Sequence, residues 1–357
     1  MKIMSIIGAR PQLIKAAAVS PALRARHSEV LVHTGQHYDD RMSSDLFAEL
    51  GIPEPDVNLG VGSGSHGRQT AAMLAGLEEL MLETKPDCVL IYGDTNSTVA
   101  GALAAAKLNV PIAHVEAGLR SFNRHMPEEV NRVVADHLSS LLFCPTETAV
   151  RNLAKEGIVR GVVLVGDVML DTLEAMSPAI RTAAPARAFG LKNKQYAVAT
   201  IHRAENTDDP QRLASILSGL CRLGIPVLFP VHPRTSKAIA DAGLALPANL
   251  VRCEPLGYVD MIAAVRDARV VVTDSGGLQK EAFWMRTPCV TVRDETEWLE
   301  TVESGWNVLV GADADRILAA AAAFARASVL SDTTAAQVGA SALIVRELEA
   351  FELPARS

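Results

Sequence analysis

Short apolar runs rich in β-branched residues alternate along the chain with longer stretches in which apolar residues recur at helical spacing. Six such runs lie in the first half, beginning with KIMSIIG and ending with VVLVGD, and six lie in the second half, beginning with YAVATIH and ending with WNVLVG. This alternation is typical of βαβ units around parallel sheets. The pattern therefore predicts an α/β fold of two doubly wound, Rossmann-like domains of similar size.

The segment between the two sets of strands, EAMSPAIRTAAPARAFGLKNK, is polar, rich in proline and alanine, and lacks a strand pattern. We expect the linker there, at residues 172–192, with an amino-terminal domain at 1–171 and a carboxy-terminal domain at 193–335. Residues 336–357 have a helical pattern and are expected to pack back on the first domain. The length of 357 residues also agrees with a two-domain protein.

Composition argues against several classes of partner. The net charge is −7 and aromatic residues make up only 4% of the chain, so neither nucleic-acid binding nor membrane binding is expected. No apolar stretch approaches the roughly 18 residues of a membrane span. The five cysteines are scattered and form no CxxC pair, which favours free, buried thiols in a reducing cytoplasm over a zinc site or a disulfide framework.

Polar side chains follow many of the predicted strands. The carboxyl ends of the strands are where doubly wound domains bind ligands, and we therefore expect a ligand in a cleft between the two domains. The residues concerned are Arg10, Gln36, His37, Asp94, Glu116, His202, His232, Asp274, Arg293 and Asp294.

The stretch VVVTDSGGLQKE breaks from a strand into two glycines and then opens a helix. Ser275 is a good N-cap, and Gly276 and Gly277 leave the first helical amides uncovered, so a phosphate can approach the positive end of the helix. Glu281 lies more than a turn into the helix, where it can accept hydrogen bonds from sugar hydroxyls. The pattern indicates a nucleotide site, although an ordinary capped turn between a strand and a helix would have the same sequence.

Charged residues mark other strand ends of the first domain. Arg10 and Lys15 border the helix start in GARPQLIK, where they suit a phosphate or the acidic residues opposite, unless they are simply solvated. Four carboxylates, Asp94, Glu116, Glu128 and Glu129, are expected in one neighbourhood if the fourth and fifth strands of the first domain are adjacent. Clustered carboxylates can raise one another's pKa and so supply an acid and a base near neutral pH. A metal site or an ordinary helix start at PEEVNR remains an alternative use of these residues.

His202 and Arg203 follow the first strand of the second domain, in TIHRAENTDDP. Because they share a sheet edge with Ser275 and Gly276, we expect them to complete a diphosphate clamp. The motif GSGSHG, by contrast, has the letters of a nicotinamide fingerprint but no preceding strand, since EPDVNLGV is loop-like. We interpret it as a surface loop that leads into a helix.

Nine motifs, in this order over most of the chain, resemble the non-hydrolysing UDP-N-acetylglucosamine 2-epimerase family: GARPQLIK, TGQHYD, YGDTNST, HVEAGLRS, MPEEVNR, PTET, HRAEN, FPVHPRT and TDSGGLQKE. The resemblance implies the GT-B architecture, with a UDP-sugar between two Rossmann-like domains. Glycosyltransferases share that fold, so the fold alone does not decide the function.

The resemblance implies inversion at carbon 2 of the sugar. A base removes the carbon 2 proton, UDP leaves to give a 2-acetamidoglycal, and UDP adds back with a proton on the other face. No cofactor and no metal are implied, and the product would supply cell-surface polysaccharide synthesis. The matching catalytic residues are Asp94, Glu116, Glu128 and His202, and the residues do not reveal which carboxylate is the base. The matching substrate-binding residues are Arg10, Lys15, Asn131, Arg132, Met261, Ser275, Gly276, Gly277 and Glu281.

The resemblance also implies a homodimer and a second, regulatory substrate position beside the active site. Six residues match those attributed to this position: Gln36, His37, Arg68, Gln69, Arg203 and His232.

The chain departs from the common family pattern in two places. Commoner members begin GTRPE, whereas this chain has Ala9 and Gln12, and they have ERPE where this chain reads DETEWLE, with Trp298 and Leu299 expected to border the sugar. Similar variants occur in the branch that epimerises UDP-2,3-diacetamido-2,3-dideoxy-glucuronate for O-antigen synthesis. The sequence therefore does not decide which substituents the substrate sugar carries at carbons 3 and 6.

For a uronate substrate, Arg124 or His125 could bind the sugar carboxylate. Three further functions stay open: a GT-B glycosyltransferase, a catalytically idle nucleotide-sugar sensor and a hydrolysing epimerase. The dense carboxylates near Asp94 disfavour the first two, and product analysis distinguishes the third.

Overall fold

The computed structural model describes residues 1–36, 40–326 and 338–352, and it leaves the side chains of residues 40–44 undescribed. The chain divides into two compact units. Unit 1 comprises Met1–Met176 and Ala335–Ser357, and unit 2 comprises Ser177–Thr334.

Unit 1 is a parallel sheet flanked by helices. Its strands are β1 (Lys2–Ile7), β2 (Ser28–His33), β3 (Val57–Asn58), β4 (Cys88–Tyr92), β5 (Ile112–Val115), β6 (Leu141–Cys144) and β7 (Val162–Leu164). Its helices are α1 (Arg10–Arg24), α2 (Asp40–Leu50), α3 (His66–Thr84), α4 (Asn96–Lys107), α5 (Pro127–Leu138), α6 (Glu147–Lys155) and α7 (Val168–Thr182), and the division between the units falls within α7.

Unit 2 repeats the pattern. Its strands are β8 (Ala197–Thr200), β9 (Val227–Pro230), β10 (Leu250–Cys253), β11 (Val270–Thr273), β12 (Cys289–Thr291) and β13 (Asn307–Leu309). Its helices are α8 (Ala204–Thr207), α9 (Pro210–Cys221), α10 (Pro233–Asp241), α11 (Tyr258–Asp267), α12 (Gly276–Trp284), α13 (Leu299–Glu303) and α14 (Ala314–Arg326), and a 3-10 helix covers Pro185–Phe189. The last helix of the chain, α15 (Ala340–Ala350), belongs to unit 1 and contacts α1.

The strand orders confirm two doubly wound sheets. Unit 1 has the order β3-β2-β1-β4-β5-β6-β7 and unit 2 the order β10-β9-β8-β11-β12-β13. In each sheet the order reverses between the first and fourth strands of its unit, which are β1 and β4 in unit 1 and β8 and β11 in unit 2. Ligands of doubly wound folds bind at such a switch point, beyond the carboxyl ends of the strands.

One expectation about the first sheet was wrong. Val57 and Asn58, in the stretch interpreted as a loop, form the edge strand β3, in which Val57 pairs with Val32 and Asn58 with His33 of β2. Two residues are too few to show alternation, so the pattern of the sequence could not reveal this strand. The GSGSHG segment follows β3 and leads into α3, which begins at His66.

The central strands are buried on both faces, as parallel sheets covered by helices require, whereas the edge strands are partly exposed. In unit 1 the core includes Met4, Ile6, Val89 and Ile91, and in unit 2 it is built around residues such as Phe229. Cys88, Cys144 and Cys289 are buried, Cys253 is half-buried and Cys221 is exposed, and all five are free thiols. Within the described part of the chain, no helix is long and apolar enough to cross a membrane.

Candidate functional site

The turn after β1 is tied to the end of β4 by Gln12, one of the two departures from GTRPE. Its Oε1 accepts hydrogen bonds from the amides of Gly8 and Ala9, at 2.8 and 3.1 Å. Its Nε2 donates to the Tyr92 carbonyl at 2.8 Å and to Thr98 Oγ1 at 3.1 Å. A glutamate could accept the same two amides but could not donate to the carbonyl, so Gln12 joins the two strands that flank the switch point.

Glu116 follows β5 and forms a buried ion pair with Lys15 of α1, with 2.6 Å between Glu116 Oε2 and Lys15 Nζ. The backbone of Glu116 has φ +70°, a left-handed conformation that is unusual for a residue with a side chain. Gly93, at the end of the neighbouring strand β4, lies against both charged atoms. The predicted carboxylate is thus held by a cation on a separate helix.

Asp94 follows β4, which is paired with β5, so the predicted proximity of its turn to that of Glu116 is present. Its partner is Arg132 of α5, whose Nη2 and Nε both donate to Asp94 Oδ2, the second at 3.1 Å. Asn131 Nδ2 donates to the Asp94 carbonyl at 3.0 Å. Arg132 and Asn131, both predicted as substrate-binding residues, therefore also position the Asp94 turn.

The two neighbouring glutamates of α5 have different environments. Glu129 is buried and accepts hydrogen bonds from the amides of Ser121 and Phe122, both at 2.9 Å, and from Arg132 Nη1 at 2.9 Å. Glu128 is half-buried and has no hydrogen bond or ion pair among the described residues. Glu129 anchors the loop before α5, and Glu128 is left available to a ligand.

A buried network around Asp136 was missed by the sequence analysis. Asp136 Oδ1 lies 2.7 Å from His114 Nδ1, and the other ring nitrogen of His114 donates to the Gly93 carbonyl at 2.7 Å. Asp136 Oδ2 accepts from the Gly118 amide at 3.1 Å and from Arg120 Nη1 at 2.6 Å. One carboxylate of α5 therefore holds the residue before Asp94 and the loop just after Glu116. The HVEAGLRS motif contains His114, but its sequence does not indicate that His114 pairs with Asp136.

Burial by itself raises the pKa of the Asp136 carboxyl. The hydrogen bond and charge of His114, together with those of Arg120, outweigh this effect, so the pKa of Asp136 lies below its ordinary value. Glu156, which accepts from Arg120 Nε at 2.7 Å and Nη2 at 2.8 Å, has its pKa lowered first by these hydrogen bonds.

Two residues predicted for the regulatory position belong to a hydrogen-bonded chain that ends at the Asp94 turn. Gln69 Nε2 donates to the Gln36 carbonyl at 3.1 Å, and Gln69 Oε1 accepts from Asn96 Nδ2 at 2.8 Å. Asn96 Oδ1 in turn accepts from Asn131 Nδ2 at 3.3 Å. Arg68, a third predicted residue, is exposed, and His37 lies outside the described residues.

In unit 2 the switch point is organised by Asp274, which follows β11 and is fully buried. Its carboxylate accepts hydrogen bonds from the amides of His202 and Arg203, at 3.0 and 2.9 Å, and from Asn206 Nδ2 at 3.1 Å. His202 Nδ1 lies 3.5 Å from Asp274 Oδ1, and the His202 ring is partly exposed. Asp274 thus brings the predicted histidine and arginine to the edge that carries Ser275.

The predicted helix start is present. Ser275 is the N-cap of α12, and its Oγ accepts from the Leu278 amide at 3.4 Å. The Arg203 guanidinium lies 3.9 Å from the position that a Cβ atom on Gly276 would occupy. Glu281 lies in the second turn of α12 and is buried. The Arg203 side chain and the Ser275 cap therefore both lie at the start of α12.

The remaining predicted residues of the two sites are His232, Met261 and Arg10. His232 caps α10, with its Nδ1 accepting from the Arg234 amide at 3.2 Å, and its ring centroid is 6.0 Å from that of His202. Met261 is half-buried against two apolar clusters of unit 2. Arg10 is the first residue of α1 and is half-buried. No group of three or more His, Cys, Asp or Glu side chains suited to a metal ion occurs in the part of the chain that the structure describes.

The two doubly wound sheets define an α/β protein of the GT-B class, with acidic residues at one switch point and a serine-capped, glycine-rich helix start at the other. Residues 21–341 match the family model described as UDP-N-acetylglucosamine 2-epimerase. The chain belongs to this family, so the resemblance found in the motifs is confirmed.

Two relatives have about half of their aligned residues in common with the chain. A UDP-N-acetylglucosamine 2-epimerase homolog of Methanococcus maripaludis is 51% identical, over 89% of this chain and 91% of its own. The UDP-2,3-diacetamido-2,3-dideoxy-D-glucuronate 2-epimerase of Pseudomonas aeruginosa is 52% identical, over 90% of this chain and 91% of its own. A solved structure of the UDP-GlcNAc 2-epimerase of Methanocaldococcus jannaschii, in complex with UDP-GlcNAc and UDP, is 38% identical with a TM-score of 0.93, and the match covers 98% of this chain and 100% of that one.

Proposed function

We propose that the protein is a non-hydrolysing UDP-N-acetylglucosamine 2-epimerase, an isomerase that interconverts UDP-N-acetylglucosamine and UDP-N-acetylmannosamine. A base removes the proton at carbon 2 of the sugar, and UDP departs from carbon 1 with the bonding electron pair, which leaves a 2-acetamidoglycal. UDP then adds back to carbon 1 while a proton is delivered to carbon 2 on the other face. The proton and UDP are both returned, so the reaction is redox-neutral and needs no redox cofactor.

The observation that carries the proposal is the placement of Asp94 and Glu116 after the adjacent strands β4 and β5 of a chain in this family. Each carboxylate is oriented by a buried cation on another element, Arg132 and Lys15 respectively. Glu128 has no competing partner among the described residues. These three acids remove and return the carbon 2 proton, a step to which general acid–base catalysis contributes typically 10²–10⁴-fold.

The departing UDP develops negative charge on its β-phosphate, and unit 2 supplies donors for it. The first amides of α12 at Gly276 and Gly277 carry the positive end of the helix. His202 follows β8, on the strand next to β11, and its backbone is held by Asp274. Glu281 accepts from the ribose hydroxyls, and Arg10 and Met261 complete the substrate contacts.

The test is proton NMR of the enzyme with UDP-N-acetylglucosamine in heavy water. We expect UDP-N-acetylmannosamine to form, deuterium to enter carbon 2 of both sugars, and all uridine to remain attached to sugar at equilibrium. Release of free N-acetylmannosamine would instead establish a hydrolysing epimerase. Absence of exchange at carbon 2, together with transfer to an added acceptor, would establish a glycosyltransferase.

A second substrate, UDP-2,3-diacetamido-2,3-dideoxy-glucuronate, is favoured by the 52% identity to the Pseudomonas aeruginosa enzyme of that name. Arg124 is exposed and has no ion pair among the described residues, and it lines a pocket of about 330 Å³ in unit 1. If it binds the uronate carboxylate, Arg124→Ala will lose turnover of the uronate while turnover of the neutral sugar is kept. The same NMR experiment with each sugar measures this, and His125→Ala is the matched neighbour.

The finer features of the proposal are a cytoplasmic homodimer that supplies polysaccharide precursors and is activated by its own substrate. The chain from Gln36 through Gln69 and Asn96 to Asn131 supports the last point, because it connects predicted regulatory residues with the Asp94 turn. Strictly hyperbolic kinetics, with no lag when the reaction starts from UDP-N-acetylmannosamine, would contradict substrate activation. Light scattering of the purified protein measures the oligomeric state.

A further inference from the structure

The packing of unit 2 does not explain the glycine at position 276. Gly276 is the first residue of α12, and its φ is not in the left-handed region that favours glycine. A Cβ atom there would approach protein atoms no closer than 3.5 Å, which is an ordinary van der Waals contact. An alanine would therefore fit the protein itself, and the open space at the helix start is available to a ligand.

The atom nearest to that space is the indole nitrogen of Trp298, at 3.5 Å from the position of the absent Cβ. The Trp298 side chain is buried, with the residue only 5% exposed, yet its N–H makes no hydrogen bond among the described residues. The indole nitrogen is not among the fully buried, unpaired polar atoms of the described residues, so it lies at the accessible part of this otherwise buried side chain, where a ligand can reach it. Its position beside the first amides of α12 points to an acceptor that the protein does not supply.

The backbone of Trp298 is held by hydrogen bonds on both sides. The Trp298 amide donates to Thr296 Oγ1 at 3.2 Å, and the Trp298 carbonyl accepts from Thr301 Oγ1 at 2.7 Å. Thr296 Oγ1 donates to Gln279 Oε1 of α12 at 2.7 Å. Because the loop is fastened to the same helix whose start it covers, the N–H is preorganised for a ligand at that helix start.

A buried cation strengthens this donor. Lys280 Nζ lies 3.8 Å from the centroid of the Trp298 ring, while Trp284 is further away, at 5.7 Å. A cation on the face of an aromatic ring draws electron density from it, so the indole N–H becomes more positive and a better donor to an anion.

We propose that the Trp298 indole N–H donates a hydrogen bond to a diphosphate oxygen of the nucleotide bound at the start of α12. The proposal rests on the proposed function, in which UDP binds at the start of α12. In that function the Trp298 N–H stabilises the negative charge that develops on UDP as it leaves the sugar. Trp298 is then a catalytic contact to the leaving group and not a border of the sugar.

The direct test is ¹⁵N-labelling of tryptophan, because the chain has only three tryptophans and each indole N–H gives one NMR signal. Trp284→Phe, Trp298→Phe and Trp306→Phe assign the signals by elimination. We expect UDP to move the Trp298 signal downfield, as a new hydrogen bond to an anion does, and uridine to leave it in place. Equal shifts with UDP and uridine, or no shift with saturating UDP, would overturn the proposal.

Calorimetric titration gives the energetic test. Trp298→Phe is expected to weaken UDP binding roughly ten-fold or more, as loss of a hydrogen bond to a charged group does, and to leave uridine binding unchanged. Trp284→Phe, which removes the other ring near Lys280, is the matched control and should bind UDP as the wild type does. Gly276→Ala should keep the melting temperature and lose UDP affinity.

The outcomes separate this proposal from the proposed function. If wild-type protein fails to epimerise UDP-N-acetylglucosamine but UDP still moves the Trp298 signal, the activity is wrong and the diphosphate contact stands. If the protein epimerises the sugar while Trp298→Phe binds UDP like the wild type, the contact is wrong and the activity stands. The signal of Trp298 in wild-type protein decides the matter even if Trp298→Phe does not fold.

Discussion

Lys15 Nζ lies 2.6 Å from Glu116 Oε2, and Glu116 is held with its backbone at φ +70°. A left-handed conformation in a residue with a side chain is strained, and such strain persists only where the surrounding structure determines it. Gly93 provides the room, because a Cβ atom there would lie 3.2 Å from Lys15 Nζ and 3.3 Å from Glu116 Oε2. The proposed catalytic carboxylate is thus fixed by its own backbone, a cation and a glycine on three different segments.

Lys15→Met removes the cation and keeps most of the apolar stem. We expect the turnover rate to fall by roughly 10²-fold or more, because Glu116 loses the group that orients it for proton transfer. Breaking a buried ion pair should also lower the free energy of unfolding by about 3–5 kcal/mol. The NMR assay and urea denaturation measure the two effects. Lys155→Met, at an exposed position of α6, should change neither, and full activity in Lys15→Met would contradict the assigned role.

The same substitution at the adjacent residues Glu128 and Glu129 should affect different properties of the protein: catalysis at the first position and stability at the second. Glu128→Gln removes a carboxylate that has no partner among the described residues, so we expect an unchanged melting temperature. Its turnover rate should fall by roughly 10²-fold or more, on the order of general acid–base effects. Glu129→Gln weakens the anchoring of Ser121, Phe122 and Arg132, so its main effect should be a lower melting temperature. Thermal denaturation and the NMR assay measure the two effects, and an active Glu128→Gln enzyme would remove Glu128 from the proposed chemistry.

Asp136 should make stability depend on pH. Its folded-state pKa lies below the ordinary value of 3.8, because the hydrogen bonds and charges of His114 and Arg120 outweigh the effect of burial. A carboxyl with a depressed pKa contributes stability that is present above its unfolded pKa and is lost as the pH falls through its folded pKa. Asp136→Asn should therefore be destabilised by about 3–5 kcal/mol at pH 7, the usual effect of breaking a buried pair.

The difference in unfolding free energy between wild type and Asp136→Asn should stay constant from pH 7 to about pH 5 and shrink below about pH 4, near the unfolded pKa of an aspartate. Urea denaturation at a series of pH values measures it. A difference that widened as the pH fell would mean that the Asp136 pKa is raised in the folded protein. Asp241→Asn, at an exposed site on α10, is the control.

Thiol reactivity should distinguish the five cysteines. Burial raises the pKa of Cys88, Cys144 and Cys289 to about 12, and that of the half-buried Cys253 to about 11. The thiolate is the reactive form, so these four should react slowly at pH 8 with a thiol-specific disulfide reagent. Cys221 is exposed and should give a single fast phase, and Cys221→Ser should abolish it. A second fast phase in native protein would contradict the burial of the other four.

Much of the architecture was predictable because parallel strands buried on both faces must be apolar, and the chain marks each with a short β-branched run. The two doubly wound sheets follow from that pattern, whereas the two-residue strand β3 was too short to show it. The site residues after β4, β5, β8 and β11 were found for a related reason: parallel strands present their carboxyl ends on one edge, so polar residues at those ends are gathered by topology.

The sequence by itself determined the alternation of strands and helices, the family, and the acids and glycines placed at the strand ends, because these are local patterns of residue type and spacing. Only the tertiary structure decided which charges meet. Glu128 and Glu129 are both glutamates at neighbouring positions. Glu128 has no partner among the described residues, whereas Glu129 is hydrogen-bonded to the loop before α5. Likewise His114 meets Asp136, and Trp298 meets Gly276, across segments far apart in the chain. Ion pairs and hydrogen bonds depend on distances of a few ångströms, and those distances exist only after the sheets and helices have packed.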